Sequence, residues 1–305
     1  MCTWNKESKH NMKYEFHSGK DICRICEEQN ITISELMLRS EMEESMRSEN
    51  DILDELRNDL DIMRNSISAG LDEVKGQHGM FTGGDAIKIH RYANRANMGK
   101  EMARIVAAAM AVAETNASMG KIVAAPTAGA SGILPAVLIE CGENQKKFDE
   151  ETIIRGLLTA GAIGCVIAEN ASIAGASGGC QAETGTAASM GAAALSEMCG
   201  ATPYEILASA AIAIKNCLGL VCDPVAGLVE CPCIKRNAIA ASNAMLSSDL
   251  VLSGIDSLIP FDEVVLAMAN VGRSMHRDLK ETARGGLAAT ETAKRLARSL
   301  YNKEV

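Results

Sequence analysis

Between residues 50 and 75 the apolar positions Ile52, Leu56, Leu60, Met63, Ile67, Leu71 and Val74 recur at steps of three and four. That period predicts a helix with one buried stripe, its other face filled by acids and arginines. The charged helical region extends back to Ser34, a candidate N-cap after the turn Asn30-Ile-Thr-Ile-Ser34. After Gly76 the pattern changes to helices rich in Ala and Met, separated by loops of small residues. Gly79–Gly84, Gly120–Gly132 and Ala174–Gly179 read as such loops, and Thr152–Glu169 and Gln181–Met198 as helices. Thr202-Pro203-Tyr204-Glu205 is a capping box with proline at the first helical position, opening a helix expected to run to about Leu218, where Gly219 stops it. Ile234–Leu246, Phe261–Met275 and a C-terminal segment complete the helices. No strand alternation is long enough to compete, so the expected fold class is all-α. Residues 1–30 read as a variable, loose extension and 31–305 as one domain, charged to about residue 76.

Composition supports close helix packing. Hydrophobic residues make up 47% of the 305, but aromatics only 3%, which disfavours strands. A formal charge of -9 argues against a nucleic-acid partner. The apolar runs Ile105–Ala113 and Ile163–Ala168 stop at Glu114 and Glu169, well short of the roughly 20 residues of a membrane span, so no membrane is expected. The polar opening of the chain is unlike a secretory signal, which points to a reducing cytoplasm. There the 11 cysteines are expected as thiols, metal ligands or catalytic groups.

The cysteines divide into groups. Cys23 and Cys26 form a C-x-x-C without the second pair a zinc site needs, and read as small apolar residues on a short helix. Cys141, Cys165, Cys199 and Cys217 sit in apolar helical surroundings and read as core. Cys180, Cys222 and Cys233 lie in loops between small-residue helices. Cys180 and Cys233 each precede a helix, whose positive end is expected to favour the thiolate. Spacing alone leaves two readings: ligands of an inorganic cluster, or buried loop thiols.

Four motifs read together change the balance. Gly178-Gly-Cys-Gln-Ala-Glu-Thr-Gly185, the run Cys222-Asp-Pro-Val-Ala-Gly-Leu-Val-Glu-Cys-Pro-Cys-Ile-Lys-Arg-Asn237, Ala125-Pro-Thr-Ala-Gly-Ala-Ser-Gly-Ile-Leu-Pro-Ala136 and Lys280-Glu-Thr-Ala-Arg-Gly-Gly-Leu-Ala288 occur in that chain. Together they resemble the α chain of the iron–sulfur-dependent L-serine dehydratases, from about Ile31 to Ala293. The resemblance implies a [4Fe-4S] cluster held by Cys180, Cys222 and Cys233, with Cys231 an incidental neighbour and no pyridoxal phosphate. It implies conversion of L-serine to pyruvate and ammonia, an iron without a protein thiolate acting as Lewis acid. It also implies a separate β chain carrying a Ser-Ser-Ser-His-Thr motif, which is absent here, and hence a hetero-oligomer.

For L-serine itself, the loop of Thr127, Gly129, Ala130 and Ser131 opens a helix and offers backbone N–H groups to a carboxylate. Thr82, Gly83 and Gly84 offer a second wall, and Lys280 and Arg284 positive charge. Each has an ordinary alternative: two turns and a solvated helix face. His78, His90 and His276 supply no evident general base. Three rivals remain at this level: an iron–sulfur lyase for another substrate such as L-cysteine, a pyridoxal-phosphate enzyme, which the missing strands disfavour, and a non-catalytic cluster protein.

Overall fold

The computed structural model describes residues 13–74 and 78–301. All regular structure among them is helical, apart from two isolated bridges, His78 with Gly83 and Cys222 with Lys280.

The N-terminal helices follow the periodic stripe. α1 (Gly19–Gln29) lies within the expected loose extension, and α2 (Ile33–Ser45) and α3 (Glu49–Gly70) replace the expected charged run from Ser34. The break falls at Met46, whose φ of 56° ends α2, and Ser48, whose hydroxyl caps α3. Ile52, Leu60, Met63 and Ile67 are buried, whereas Val74 is almost wholly exposed. The N-cap of α2 is Thr32 rather than Ser34. Thr32 is extended and its hydroxyl accepts from Glu35 N, while Ser34 is already the second residue of the helix. The expected extension keeps its first twelve residues outside the described chain. From Ser18 onward it is folded. Ile22, Ile25 and Cys26 join the main core, and Asp262 accepts from Gly19 N and Lys20 N at 2.6 and 3.1 Å.

The remaining helices wrap one centre. They are α4 (Asp85–Tyr92), α5 (Lys100–Ala117), α6 (Ile133–Pro135, continued by a π-helical stretch Ala136–Gln145) and α7 (Glu150–Asn170). Then come the single turn α8 (Gly175–Gly178), α9 (Thr186–Met198, led in by a π-turn Gln181–Gly185) and α10 (Pro203–Lys215). Last are α11 (Cys233–Leu252), α12 (Phe261–Ser274) and α13 (Glu291–Tyr301).

α9 is the hub, packed by α7, α10 and α11. Its Ala187, Ala188, Ala192, Ala193 and Ala194 have no exposed surface. Small side chains on every face let three neighbours approach, which explains a core built with so few aromatics. α5 repeats the arrangement between α3, α4 and α11. α7 is the one helix among the described residues long and apolar enough to cross a membrane, yet 56% of that window is buried against the fold. That is the pattern of a core helix.

The capping box at Thr202 forms in full, but α10 ends at Lys215, three residues early. Turns then lead to Gly219, at φ 85°, where the chain swings toward the sulfur-bearing loops.

Candidate metal centre

Three loops meet at one end of the α9 bundle, and each is tied in place by a buried polar side chain. The loop before α9 carries Cys180. Gln181, fully buried, accepts from Gly219 N at 2.9 Å and donates to Met268 O at 3.0 Å, fixing Cys180 against the end of α10 and against α12. The loop after α10 carries Cys222. Its N–H donates to Leu279 O at 2.8 Å and its carbonyl accepts from Glu281 N at 2.7 Å, which forms the short bridge to Lys280. Cys233 is the first residue of α11.

Asp223 and Arg236 lock these pieces together. Arg236 donates to Asp223 Oδ1 at 2.8 Å and to Val221 O at 2.7 Å, and Asp223 Oδ2 accepts from Leu287 N at 2.7 Å. The pair is nearly sequestered, with side chains 13% and 3% exposed. Removing one partner of so buried a pair strands the other charge.

The sulfurs converge. Sγ of Cys180, Sγ of Cys222 and a carboxylate oxygen of Glu183 all lie within 4.8 Å of one another. Cys233 falls outside that tight group but is close enough for charge on Cys180 and Glu183 to raise its pKa. Cys180 is drawn down to about 6, first by the hydrogen bond with Cys222 and then, against burial, by Arg236 and the Thr184 hydroxyl. Cys222 is correspondingly pushed up by Cys180 and by burial. Of the two, Cys180 is the thiol its surroundings favour as the thiolate. Cys233 departs from expectation. Although it opens a helix, burial pushes it up to about 12, so desolvation outweighs the helix terminus. Glu183 is raised to about 7 by burial and by the charges of Cys180 and Glu281, with Thr127 pulling the other way.

This donor set fits an iron–sulfur group. Two free thiols and a carboxylate from separate loops converge, a third free thiol lies within electrostatic reach, and Cys180 is already disposed to ionise.

The two expected substrate loops differ in what they leave open. In the first, Thr127 and Gly129 face Glu183: a Cβ on Gly129 would lie 3.5 Å from Glu183 Oε1. Ala130 and Ser131 are buried behind them, and the Ser131 hydroxyl donates to Ala128 O at 2.8 Å. Asn237 clamps the loop, donating to Gly129 O at 2.8 Å and accepting from Gly132 N at 3.0 Å. In the second loop the N–H cradle exists, but a residue of the chain fills it. The buried Glu230 carboxylate accepts from Met80 N, Phe81 N, Thr82 N and the Thr82 hydroxyl, at 2.7 to 3.0 Å. Gly79 is required there, because a Cβ would meet that carboxylate at 2.4 Å. Gly83 pairs with His78 across the loop.

Lys280 lies beside Cys222 through the backbone bridge and is half-buried. Arg284 is further along and exposed, its N–H donating to the Thr282 hydroxyl at 3.3 Å. His78, His90 and His276 are all exposed, and none joins the sulfur group. Sequence reasoning passed over Glu183 and Arg236 as site residues. The signal was available: each lies three positions after a cysteine, Cys180 and Cys233, at helix-entry spacing.

The match to known proteins decides the family. Residues 28–288 match the model of the serine dehydratase alpha chain. The chain belongs to the serine dehydratase alpha-chain family. It is 46% identical over 288 residues to the probable L-serine dehydratase, alpha chain, of Bacillus subtilis, covering 94% of this chain and 95% of that one. It is 46% identical over 289 residues to the L-serine dehydratase, alpha chain, of Peptoniphilus asaccharolyticus, covering 94% and 99%. The L-serine dehydratase of Streptomyces coelicolor is 41% identical over 286 residues, which span 91% of this chain but only 61% of that longer protein.

Proposed function

We propose that this chain is the α subunit of an L-serine dehydratase, a carbon–nitrogen lyase forming pyruvate and ammonia in the cytoplasm. The observation that carries the reading is the convergence of Cys180 and Cys222 with Glu183, with Cys233 alongside, inside the alpha-chain family's matched region. Cys180, Cys222 and Cys233 would hold a [4Fe-4S] cluster. Such a cluster leaves one iron without a thiolate, which supplies Lewis acidity toward the serine hydroxyl and carboxylate.

The chain's own residues prepare that place. Arg236 favours the Cys180 thiolate, and Asp223 holds Arg236 in position. Thr127 and Gly129 form the wall beside Glu183, with Asn237 fixing its backbone. Lys280, held beside Cys222, adds a cation for the substrate carboxylate, and Arg284 lies at the outer edge. Ala130 and Ser131 shape the first loop from behind, as Thr82 and Gly83 do the second. Loss of the α-proton and of hydroxide gives aminoacrylate, which tautomerises to an imine and hydrolyses to pyruvate and ammonia.

The base that takes the α-proton is assigned to a separate β chain, since no histidine of this chain joins the sulfur group among the described residues. The longer Streptomyces coelicolor protein is consistent with both parts in one chain there. No pyridoxal phosphate is required.

The test is anaerobic. The chain is co-expressed with its partner and reconstituted with iron and sulfide, and visible and EPR spectra are taken with and without L-serine. About four irons per chain, a spectrum perturbed by L-serine, and pyruvate release are expected. Sulfide release from L-cysteine in preference to pyruvate from L-serine would reassign the substrate. A cluster indifferent to both would overturn the enzyme reading.

A further inference from the structure

Three acidic side chains in the loops of the candidate centre are withdrawn from solvent, unlike the exposed Glu281, and they are not alike. Asp223 is saturated by Arg236 and Leu287 N, and Glu230 by three backbone N–H groups and the Thr82 hydroxyl. Both are structural anchors with little acceptor capacity left. Glu183 is different. Among the described residues its carboxylate receives only weak contacts, from Cys222 Sγ at 4.0 Å and from the nearby Thr127 hydroxyl, which favours its charged form. The Thr127 hydroxyl, buried nearby, has no hydrogen-bond partner of ordinary length. A half-buried carboxylate without strong donors is costly unless something else satisfies it.

Its position says what that is. Glu183 lies between the two halves of the site. On one side are the sulfurs of Cys180 and Cys222, within 4.8 Å of its oxygen and of each other. On the other is Gly129 of the substrate loop, whose Cβ position is 3.5 Å from Oε1. Gly175 closes the gap beside it: a Cβ there would come within 2.6 Å of Glu183 Oε2 and 3.0 Å of Cys222 Sγ. Glycine at 175 thus keeps carboxylate and sulfur in open communication.

Resting on the serine dehydratase reading, we propose that Glu183 ligates the cluster iron that no cysteine holds, and that L-serine displaces it on binding. A carboxylate oxygen is a hard donor on a metal otherwise held by soft sulfur, so it exchanges where a thiolate would shield. The exchange replaces one oxygen donor with another. No electron moves, and the freed carboxylate stays within the pocket beside Thr127. The device explains how a cluster with three cysteines keeps its fourth iron in the absence of substrate.

The test uses the reconstituted α–β holoenzyme under argon. Mössbauer spectra of the resting wild-type protein are compared with those of Glu183→Gln, a near-isosteric change, each with and without L-serine. Wild type should show one iron site distinct from the other three, shifting when L-serine is added. Glu183→Gln should show that site already shifted at rest, and a several-fold larger share of three-iron clusters after brief exposure to air. A second measurement needs no variant. With glutamate labelled at the δ-carbon by ¹³C, ENDOR of the reduced cluster should show a coupling that L-serine abolishes. A Glu183→Gln spectrum identical to wild type, with equal iron retention and no ¹³C coupling, would overturn the proposal while leaving the cluster reading intact. A wild-type protein that assembles no cluster would overturn both.

Discussion

The helical interior and the loop-built centre are held together by opposite means. Around α9, alanines, leucines and isoleucines with no exposed surface pack on α7, α10 and α11, and the stabilising term is apolar area removed from water. Around the sulfurs the fixing contacts are polar, directional and far apart in sequence. Asp223 reaches Leu287, Glu230 reaches residues 80–82, and Asn237 reaches Gly129 and Gly132. The first region tolerates exchange of one apolar side chain for another of like volume. The second depends on single carboxylates and amides. The bundle therefore supplies stability, while the loops set the positions of the groups that do chemistry.

The largest effect that separates the regions should come from the thiols. Cys180→Ser, Cys222→Ser or Cys233→Ser exchanges sulfur for a poorer iron ligand inside an unchanged bundle. Each variant should lose most of its iron and at least ~100-fold in serine turnover, the scale of losing the metal's role as Lewis acid. Far-ultraviolet circular dichroism should stay unchanged. Any one of the three that retains full iron and activity would remove that cysteine from the proposed ligand set.

Stability comes next. Ile163 is fully buried on α7, and Ile163→Ala should cost about 2–5 kcal/mol by transfer and cavity terms. The iron content of the surviving folded protein should be normal. Asp223→Ala should cost a similar about 3 kcal/mol, because Arg236 is left buried without its partner, yet it should also loosen the 277–287 segment and reduce iron uptake. Denaturant melts combined with iron assays distinguish the two. If Ile163→Ala lowers iron per folded chain as much as Asp223→Ala does, the division between bundle and loops is wrong.

The same division governs how much was legible in the sequence. The stripe from Ile52 to Ile67 and the capping box at Thr202 are local patterns, and the structure reproduces them. Ser34 reads as well as Thr32 for a cap in sequence because both carry hydroxyls, and only the backbone decides which of them lies at the boundary. α10 ends three residues before the expected Leu218 because the turns from Asn216 to Gly219 look helical in composition. The all-α class follows from small, non-aromatic apolar residues, and it holds. The loops were picked out by their glycines, but not what occupies them. Thr82 and Glu230 are 148 residues apart, and no local period announces that a carboxylate of the chain fills the cradle. Cys233 was expected to ionise at a helix end, and only three-dimensional burial reverses this.

Glu230 sharpens the comparison at smaller scale. Its Oε2 accepts from Phe81 N, Thr82 N and the Thr82 hydroxyl, and Oε1 from Met80 N. Glu230→Gln keeps the shape but turns an NH2 group toward at least one donor. The local cost should be about 1–3 kcal/mol. Hydrogen exchange at the amides of residues 80–82 should quicken, and KM for L-serine should rise more than kcat falls. The melting temperature should move less than in Ile163→Ala. A drop as large as that core variant's would mean the loop unfolds with the bundle.

The smallest effect tests the one place where the interior borrows the loops' chemistry. Glu197, at the end of α9, accepts from the Thr159 hydroxyl at 2.6 Å and from Ser34 N at 3.2 Å, tying α7 and α2 to the hub. Burial raises its pKa, and the bonds from Ser34 and Thr159 only partly offset this. Between its ordinary value of 4.5 and the raised folded value, the folded state binds more protons than the unfolded state. Stability from this group therefore falls as pH rises through that window and is level above it. Glu197→Gln cannot ionise and escapes the loss. The melting temperature of the variant minus that of wild type should become more positive from pH 4 toward neutrality, by about 2 °C at most for a chain of this size. A difference that stays flat across that range would mean that Ser34 and Thr159 fully compensate burial, and that the interior holds its carboxylate as comfortably as the loops hold theirs.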